Sequence, residues 1–192
     1  ATAGARPAAR YGYAVAYDSV RRETVLYGGI VSSGEPDETW IWNGATWTRR
    51  GPGGGPPQSI DTGPKRFARL VFDEARGVTV LFGGDMGGWL SNETWEWNGS
   101  SWTDRTASLP TSPSARARFG MVYDPVRRVA VMFGGVLASG VATNEAWEYN
   151  GTTWVSRPSG LVGARSDHAM TYDFARRQIV MFGGVQGNML LN

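Results

Sequence analysis

The 192-residue chain lacks cysteine entirely and has a single lysine, Lys65, and a single histidine, His168. Without cysteine, these residues form no disulfide, no thiolate metal site and no cysteine nucleophile. The chain also has no apolar stretch near the roughly 18 residues that cross a membrane as a helix. Zero cysteine is compatible with the cytosol and with export, so composition leaves the compartment open.

The charge is nearly balanced, because 19 basic residues stand against 17 acidic ones and the formal net charge is +2. The arginines are spread along the chain and are not gathered in one segment. Chains that bind nucleic acid normally show such a cluster. We therefore expect no nucleic-acid partner.

Glycine is abundant, with 27 residues, and glycine pairs recur at near-constant spacing. The pairs are Gly28-Gly29, Gly83-Gly84, Gly134-Gly135 and Gly183-Gly184, at intervals of 55, 51 and 49 residues. An aromatic-Asp pair keeps the same intervals, at Tyr17-Asp18, Phe72-Asp73, Tyr123-Asp124 and Tyr172-Asp173. Two signals that share a period of about 50 residues indicate an internal repeat, and short strands at that period are typical of a β-propeller.

Each repeat opens with two predicted strands joined by a turn. The first strands, which we expect to be buried on both faces, are Tyr11–Tyr17, Phe67–Phe72, Phe119–Tyr123 and His168–Tyr172. The second strands are Thr24–Tyr27, Thr79–Phe82, Ala130–Phe133 and Gln178–Phe182, and each ends at a glycine pair that permits positive φ and close backbone approach. The Asp of each turn is predicted to accept backbone N–H groups. We favour that structural role over an anion or metal site, because an Asp…Arg pair occurs in every turn.

A tryptophan-rich hairpin follows in three repeats, around Asn43-Gly44, Asn98-Gly99 and Asn150-Gly151. Asn-Gly between strand-like runs predicts a type I′ turn, which needs positive φ at two successive residues. Eight of the nine tryptophans lie in these repeated columns. A tryptophan-lined sugar site is one interpretation, but we favour aromatic packing between repeats, because shared columns usually build the common core.

These strands, glycine pairs and tryptophan columns resemble the kelch repeat over essentially the whole chain. The resemblance implies an all-β, kelch-type β-propeller of four-stranded blades, with the first strand of each repeat lining a central channel. The hairpins are similar to those of bacterial kelch-like proteins related to the propeller of galactose oxidase, whose copper site uses a Cys-crosslinked Tyr and two His ligands. A chain with no cysteine and one histidine cannot build that site, so we expect neither a metal nor a cofactor.

Residues 1–192 are predicted to form one partial propeller with approximate repeats at 10–55, 65–110, 116–160 and 165–192. Three repeats are complete blades, and the fourth has only its inner half, since its hairpin would fall beyond Asn192. Closed rings have about four to eight blades. We therefore expect the chain to belong to a larger ring, with self-association of two copies as the alternative. The Gly/Pro-rich segment 50–64 is predicted to be an inserted loop.

Candidate ligand-binding residues lie where the first strands begin. A basic residue stands eight positions before the repeat Asp in every copy, at Arg10, Lys65, Arg116 and Arg165. At one mouth of the channel they predict a cationic ring for an acidic ligand, although each could instead pair with the carboxylate of a neighbouring blade.

Polar residues that the repeats do not share stand beside this ring, namely Arg69, Arg118 and His168, together with Tyr13 and Asp167. The kelch resemblance implies a structural hydrogen bond for His168. Trp89 is the one tryptophan outside the repeated columns and lies in a glycine-rich loop. It is predicted to contact a sugar or a protein, with packing on its own blade as the alternative.

The pattern favours a non-catalytic binding module that recognises a protein or a surface polymer through loops at the channel mouth. The sequence offers no nucleophile–base pair and no cluster of metal ligands, which disfavours an enzyme. Two alternatives stay open: a carbohydrate-binding propeller of a secreted protein, and the propeller portion of an enzyme whose active residues lie outside this segment. We expect a bacterial protein outside the cell or on its surface, with the cytoplasm as the alternative.

Overall fold

The computed structural model describes residues 5–34, 36–50 and 64–192. Within these ranges the regular structure is β-strand, apart from one short 3-10 helix at Thr106–Ser108. Nearly all of the predicted inserted loop at 50–64 lies outside the described residues.

Three antiparallel four-stranded sheets follow one another along the chain, and a two-stranded sheet comes after them. Sheet 1 contains β1 (Ala14–Asp18), β2 (Glu23–Tyr27), β3 (Thr39–Trp42) and β4 (Trp47–Arg50). Sheet 2 contains β5 (Arg69–Asp73), β6 (Val78–Phe82), β7 (Thr94–Trp97) and β8 (Trp102–Asp104). Outside the sheets, β9 (Arg116–Ala117) pairs with β12 (Val136–Leu137). Sheet 3 contains β10 (Gly120–Asp124), β11 (Val129–Phe133), β13 (Ala146–Tyr149) and β14 (Trp154–Arg157). Sheet 4 contains β15 (Ala169–Asp173) and β16 (Gln178–Phe182), and a separate pair joins β17 (Val185–Gln186) to β18 (Met189–Leu190).

The sheets share one register. The first residue of each first strand lies opposite the aromatic residue that precedes the glycine pair: Ala14 opposite Tyr27, Arg69 opposite Phe82, Gly120 opposite Phe133 and Ala169 opposite Phe182. Among the first strands, β5 contacts both β1 and β10, and β10 also contacts β15. The four sheets therefore stand in a row with their first strands side by side, which is compatible with a propeller-like fold.

The first strands begin later than predicted. The backbone takes positive φ two residues before each of them, at Gly12 (65°), Phe67 (55°), Arg118 (61°) and Asp167 (56°), and extended structure starts only after that turn. The expectation of burial on both faces holds for β5, where four of five residues are buried. It is wrong for β1 and β15, because Val15 and Tyr17 are exposed at one end of the row, and Ala169 and Thr171 at the other.

The glycine pairs allow neighbouring repeats to approach closely, as predicted. Gly28 and Gly83 both have positive φ, at 68° and 62°. A Cβ atom on Gly28 would lie 2.2 Å from the carbonyl oxygen of Lys65, and one on Gly83 would lie 2.6 Å from that of Arg116. No side chain fits at either distance, so the backbone of the next repeat requires glycine here.

The Asp turns are structural, as predicted. The Oδ1 atom of Asp18 accepts the backbone N–H of Arg21 at 2.9 Å, while its Oδ2 atom accepts the Arg21 guanidinium at 2.7 Å. Equivalent bonds to the residue three positions on occur at the three other turns, which begin at Asp73, Asp124 and Asp173.

The Asn-Gly hairpins form, but the predicted type I′ geometry is wrong. Among the described residues only the glycine of each pair has positive φ, at 95°, 97° and 95° for Gly44, Gly99 and Gly151. The loop has four residues, and the Asn43 side chain accepts the backbone N–H groups of Ala45 and Thr46 at 3.0 and 2.8 Å. Asparagine therefore closes the loop through its side chain, as in an Asx-turn, and does not adopt left-handed φ.

Trp102 and Trp154, on the fourth strands of sheets 2 and 3, pack between sheets. Trp102 of sheet 2 lies 5.7 Å from the Tyr27 ring and donates its indole N–H to Thr39 of sheet 1 at 2.9 Å. Trp154 of sheet 3 repeats the arrangement on Phe82, at 4.9 Å, and donates to Thr94 at 3.0 Å. Trp102 and Trp154 belong to the two buried clusters that join sheets 1 to 2 and 2 to 3, so these two tryptophans help to build the core. Trp47, at the same position of sheet 1, is only half-buried and packs on Trp42 with 5.5 Å between ring centres.

Candidate functional site

The predicted cationic column is largely buried and ion-paired. The Nη2 atom of Arg10 lies 3.0 Å from Glu38, and the Nζ atom of Lys65 lies 2.8 Å from Glu93. Arg116 pairs likewise with Glu145. Each glutamate belongs to the same repeat as its partner, not to a neighbouring one, and also accepts an indole N–H two residues further on, from Trp40, Trp95 or Trp147. Three of the four cations thus tie the segment before the first strand to the residue before the third strand of the same repeat.

The ion pairs lower the pKa values of two of the glutamates. Burial opposes ionisation of Glu38, but hydrogen bonds from Trp40, Arg10 and Arg49 outweigh it and hold its pKa below the usual value. Burial acts the same way on Glu145, and the bonds from Arg116 and Trp147 again leave the pKa lowered. Both carboxylates are therefore charged at neutral pH.

Arg165, the fourth member, differs from the other three. It donates to the carbonyl oxygens of Gly183 at 2.9 Å and of Gly163 at 3.4 Å. In the part of the chain that the structure describes, it has no carboxylate within ion-pair distance. The position that holds the partner glutamate in the other repeats would fall just beyond Asn192.

The four residues with positive φ before the first strands form a backbone relay across the sheets. The N–H of Phe67 donates to the Gly12 carbonyl at 2.6 Å, that of Arg118 to Phe67 at 3.0 Å, and that of Asp167 to Arg118 at 2.8 Å. One backbone position is thus built identically in every repeat and carries a different residue each time. Sequence analysis missed this column as a unit, although it lies six positions before each repeat Asp and holds glycine in the first copy.

The side chains of this relay contact one another. The Arg118 guanidinium carbon lies 3.9 Å from the centre of the Phe67 ring, and Arg118 Nη1 lies 3.2 Å from Asp167 Oδ1. Tyr11 stands 6.2 Å from the same ring. Gly12 leaves space for the Phe67 ring, because a Cβ atom on Gly12 would lie 3.0 Å from a carbon of that ring. We call Phe67, Arg118 and Asp167 the relay triad.

Arg69 is the first residue of β5, and His168 immediately precedes β15. The Nε atom of Arg69 donates to the Phe119 carbonyl at 3.0 Å. His168 is 3% exposed and packs edge-on against Phe133 with 5.7 Å between ring centres. Neither imidazole nitrogen has a hydrogen-bond partner within the described ranges. The expected structural hydrogen bond of His168 is therefore absent there.

Trp89 is exposed on a loop at this same end and does not pack on its own sheet. Its side chain is 79% exposed. A tight turn presents it: Asp85 accepts the backbone N–H of Gly88 at 2.7 Å, and Met86 donates its backbone N–H to the Trp89 carbonyl at 2.8 Å. Trp89 borders an apolar groove of about 370 Å³ between the loops of sheets 2 and 3, lined also by Gly88, Leu90, Val136, Leu137, Ala138 and Gly140.

A second cavity, of about 400 Å³, lies at the opposite end of the first strands, beside the Asp turns. Its lining includes Tyr17, Phe72, Tyr123 and Tyr172 from the repeated aromatic column. The Tyr123 hydroxyl accepts the backbone N–H of Ala75 at 3.3 Å, and burial, aided by Asp73, raises its pKa to about 12. That hydroxyl is a protonated structural group at neutral pH, and we place the candidate site at the other end.

Comparison with known proteins gives no assignment. No protein-family model matches the chain, and a search of curated proteins finds no similar sequence. The described residues contain no group of three or more His, Cys, Asp or Glu side chains arranged to hold a metal. Nor do they include a helix long and apolar enough to cross a membrane.

Proposed function

We propose that the four sheets are blades of a kelch-type propeller, three complete and one present as its inner half. The repeated register and the tryptophan contacts between sheets support this assignment. We further propose that the blades belong to a larger ring. At one end of the row Tyr13 is 40% and Tyr17 57% exposed, whereas the equivalent Ala68 and Phe72 are 1% and 6% exposed. At the other end Phe182 is 69% exposed, against 0% for the equivalent Phe82.

Faces that are buried in every internal repeat are thus uncovered at both ends of the row. Further blades or a second copy of the chain would cover them. Light scattering on the purified chain tests the proposal. Head-to-tail association that is lost in a Tyr17→Glu variant supports it, whereas a stable monomer of 20.8 kDa contradicts it.

The function proposed for this segment is a non-catalytic binding module, with the ligand at the end where the first strands begin. The observation that carries it is the relay: one fixed backbone position presents phenylalanine, arginine and aspartate in three successive repeats. Residues held at sparsely populated φ tend to cluster at functional sites. Unlike side chains on a rigid, repeated frame provide specificity, and the neighbouring loops extend the surface.

The ligand class is a protein or a surface polymer, and a location outside the cell follows as part of this proposal. A carbohydrate ligand is the second candidate, favoured by the exposed Trp89 beside an apolar groove, because such rings stack on sugar faces. An enzyme whose reacting groups lie outside this segment is the third proposal, and no observation on these residues favours it.

Glycan arrays and peptide display with the purified chain test the proposed site. Trp89→Ala and Arg118→Ala are expected to lower binding at least tenfold. The matched controls lie at the opposite end: Phe174→Ala removes a 70% exposed ring, and Arg177→Ala removes an arginine that also has positive φ, at 53°. Equal losses in the controls, or unchanged binding in the first two variants, would contradict the proposed location.

A further inference from the structure

We propose that Asn43 is a site of spontaneous deamidation, at which the backbone nitrogen of Gly44 attacks the side-chain amide of the asparagine. The chain contains three Asn-Gly pairs, each in a hairpin loop of the same build, and of the three this one leaves its glycine uncovered. The modification is a property of the chain itself and does not depend on the proposed ligand site.

Deamidation at an Asn-Gly pair proceeds through a five-membered imide. The glycine nitrogen loses its proton and bonds to the side-chain carbonyl carbon of asparagine. The bond from that carbon to the amide nitrogen breaks, and ammonia leaves with the proton. Water from the solvent then opens the imide at either carbonyl and leaves aspartate or isoaspartate. Glycine favours the cyclisation, because it has no side chain to obstruct its own nitrogen and its backbone rotates freely.

The side-chain carbonyl is held in the same way in all three loops. The Oδ1 atoms of Asn43, Asn98 and Asn150 each accept the backbone N–H groups two and three residues further on, at 2.8 to 3.0 Å. The glycine that follows each asparagine has the same φ within 2°. These hydrogen bonds polarise the carbonyl that is attacked. Because they are common to the three loops, they predict no difference in rate.

The loops differ in what covers the glycine. A Cβ atom on Gly99 would lie 2.2 Å from the Nε atom of Arg21, which belongs to the preceding repeat. One on Gly151 would lie 2.6 Å from the Nε atom of Arg76, again from the preceding repeat. Among the described residues, no atom lies within 4 Å of the same position on Gly44. Exposure follows this order, since the three glycines are half-buried, buried and exposed respectively.

Both covering arginines are fixed in place. Arg21 donates to Asp18 Oδ2 at 2.7 Å and to the carbonyl oxygen of Gly77, in the next repeat, at 2.9 Å. Arg76 donates to the turn aspartate of its own repeat at 2.7 Å and also pairs with Glu96. A guanidinium that is held at two points resists displacement. The peptide beneath it is therefore restrained from the rotation that closes the imide, and reaction requires local opening.

Gly44 is open because sheet 1 stands at one end of the row. A sheet placed before it would bring a turn arginine over Gly44, as Arg21 lies over Gly99. In a second copy docked head to tail, that residue is Arg176. Deamidation of Asn43 therefore belongs to sheet 1 without a neighbour, and it is measured first at nanomolar concentration, where association is weakest.

Mass spectrometry follows the three sites in one sample, because each Asn-Gly pair lies in a different tryptic peptide. In the folded chain at neutral pH, Asn43 is expected to deamidate at least tenfold faster than Asn98 or Asn150. In the chain unfolded by urea the three rates are expected to agree, because each asparagine then precedes an uncovered glycine. Equal rates in the folded chain, or a faster rate at Asn98 or Asn150, overturn the inference.

Arg21→Ala uncovers Gly99 and is expected to raise the rate at Asn98 at least fivefold. The matched variant Arg22→Ala removes an adjacent exposed arginine that does not contact this glycine and should leave the rate unchanged. Asn150 serves as the internal control in both variants, since general unfolding would raise its rate as well. No rise at Asn98 in Arg21→Ala, or an equal rise at Asn150, contradicts protection by the arginine.

The same measurement at high concentration separates this inference from the proposed assembly. If light scattering shows head-to-tail association, Asn43 is expected to deamidate more slowly while Asn98 and Asn150 are unaffected. An unchanged rate at Asn43 in the associated chain overturns the role of cover and leaves the assembly standing. Rapid deamidation of Asn43 in a chain that stays monomeric at every concentration supports the modification site and contradicts self-association.

Discussion

Acid should destabilise the folded chain through His168 alone at moderately low pH. Burial, together with the charges of Arg165 and Arg69, holds the pKa of this imidazole at about 4, against its usual value of 6.5. In the unfolded chain the imidazole regains the usual pKa. Below pH 6.5 the unfolded state therefore binds a proton that the folded state does not. The contribution of the neutral His168 to the free energy of unfolding is complete above pH 6.5 and decreases as the pH falls towards 4.

The size of the effect follows from the two pKa values. The linkage relation gives a loss of about 0.8 kcal/mol at pH 6 and about 2 kcal/mol at pH 5, relative to pH 7.5. The paired carboxylates do not obscure this window. The pKa values of Glu38 and Glu145 are lowered, so the stability that they contribute is lost only as the pH falls below their usual value of 4.5.

His168→Phe is the matched variant, because sheet 2 and sheet 3 already contain the same pair of rings. Phe82 and Phe119 pack edge-on with 5.7 Å between centres, as Phe133 and His168 do. Phenylalanine keeps the aromatic contact and removes the titration. The free-energy difference between the two proteins therefore isolates the proton-linked part, since all other groups cancel.

Urea unfolding followed by tryptophan fluorescence at pH 7.5, 6 and 5 measures that difference. The same cationic buffers are used for both proteins at each pH. The advantage of His168→Phe over the wild-type chain is expected to grow by about 2 kcal/mol between pH 7.5 and 5. A constant difference across this range, or an imidazole pKa near 6.5 by NMR, would refute the reasoning.

Three further predictions concern the stability of the sheets and of the contacts within and between repeats, and all are measured by the same unfolding assay. Thr39→Val removes the acceptor of a buried indole N–H and is expected to cost about 2 kcal/mol. Thr79→Val replaces a buried hydroxyl that has no partner among the described residues and should be neutral or stabilising. Equal effects of the two substitutions would contradict the hydrogen-bond argument. Gly77→Ala meets open space and should cost about 1 kcal/mol for its left-handed φ, while Gly83→Ala also overlaps a carbonyl of the next repeat and should cost about 3 kcal/mol; a smaller loss at Gly83 would argue against close approach. Glu93→Ala leaves a buried ammonium unpaired and should cost about 3 kcal/mol, and a neutral result would show that this cation is free to serve a ligand.

The parts of the fold that sequence predicts are those where one residue type has one physical role. The glycine pairs predicted both positive φ and close approach, because no other residue meets both requirements at Gly28 or Gly83. The turn Asp was equally predictable, since its short carboxylate reaches the backbone N–H groups ahead of it. The Asn-Gly turn type was not, because asparagine satisfies the same loop through its side chain with ordinary φ.

The candidate site was predictable only in part, because pairing depends on partners that are distant in sequence. Arg10 and Lys65 share a column that spacing alone presents as a cationic ring, yet each faces a glutamate 28 residues further on. Arg69 and Arg118 look alike in sequence, and only the structure places a carboxylate beside Arg118. Burial and neighbouring charge distinguish a structural cation from one available to a ligand, and neither can be read from spacing.

The relay triad shows why a repeated frame can still reveal a site. Left-handed φ costs a residue other than glycine about 1 kcal/mol, and Gly12 shows that glycine fits this position. Phe67, Arg118 and Asp167 therefore occupy a backbone conformation that glycine would adopt with less strain. Their mutual contacts, a ring stacked on a guanidinium that bonds a carboxylate, offset part of that cost. A common frame alone would favour the same residue in each repeat, whereas three unlike side chains on one strained position are what recognition of an asymmetric ligand requires.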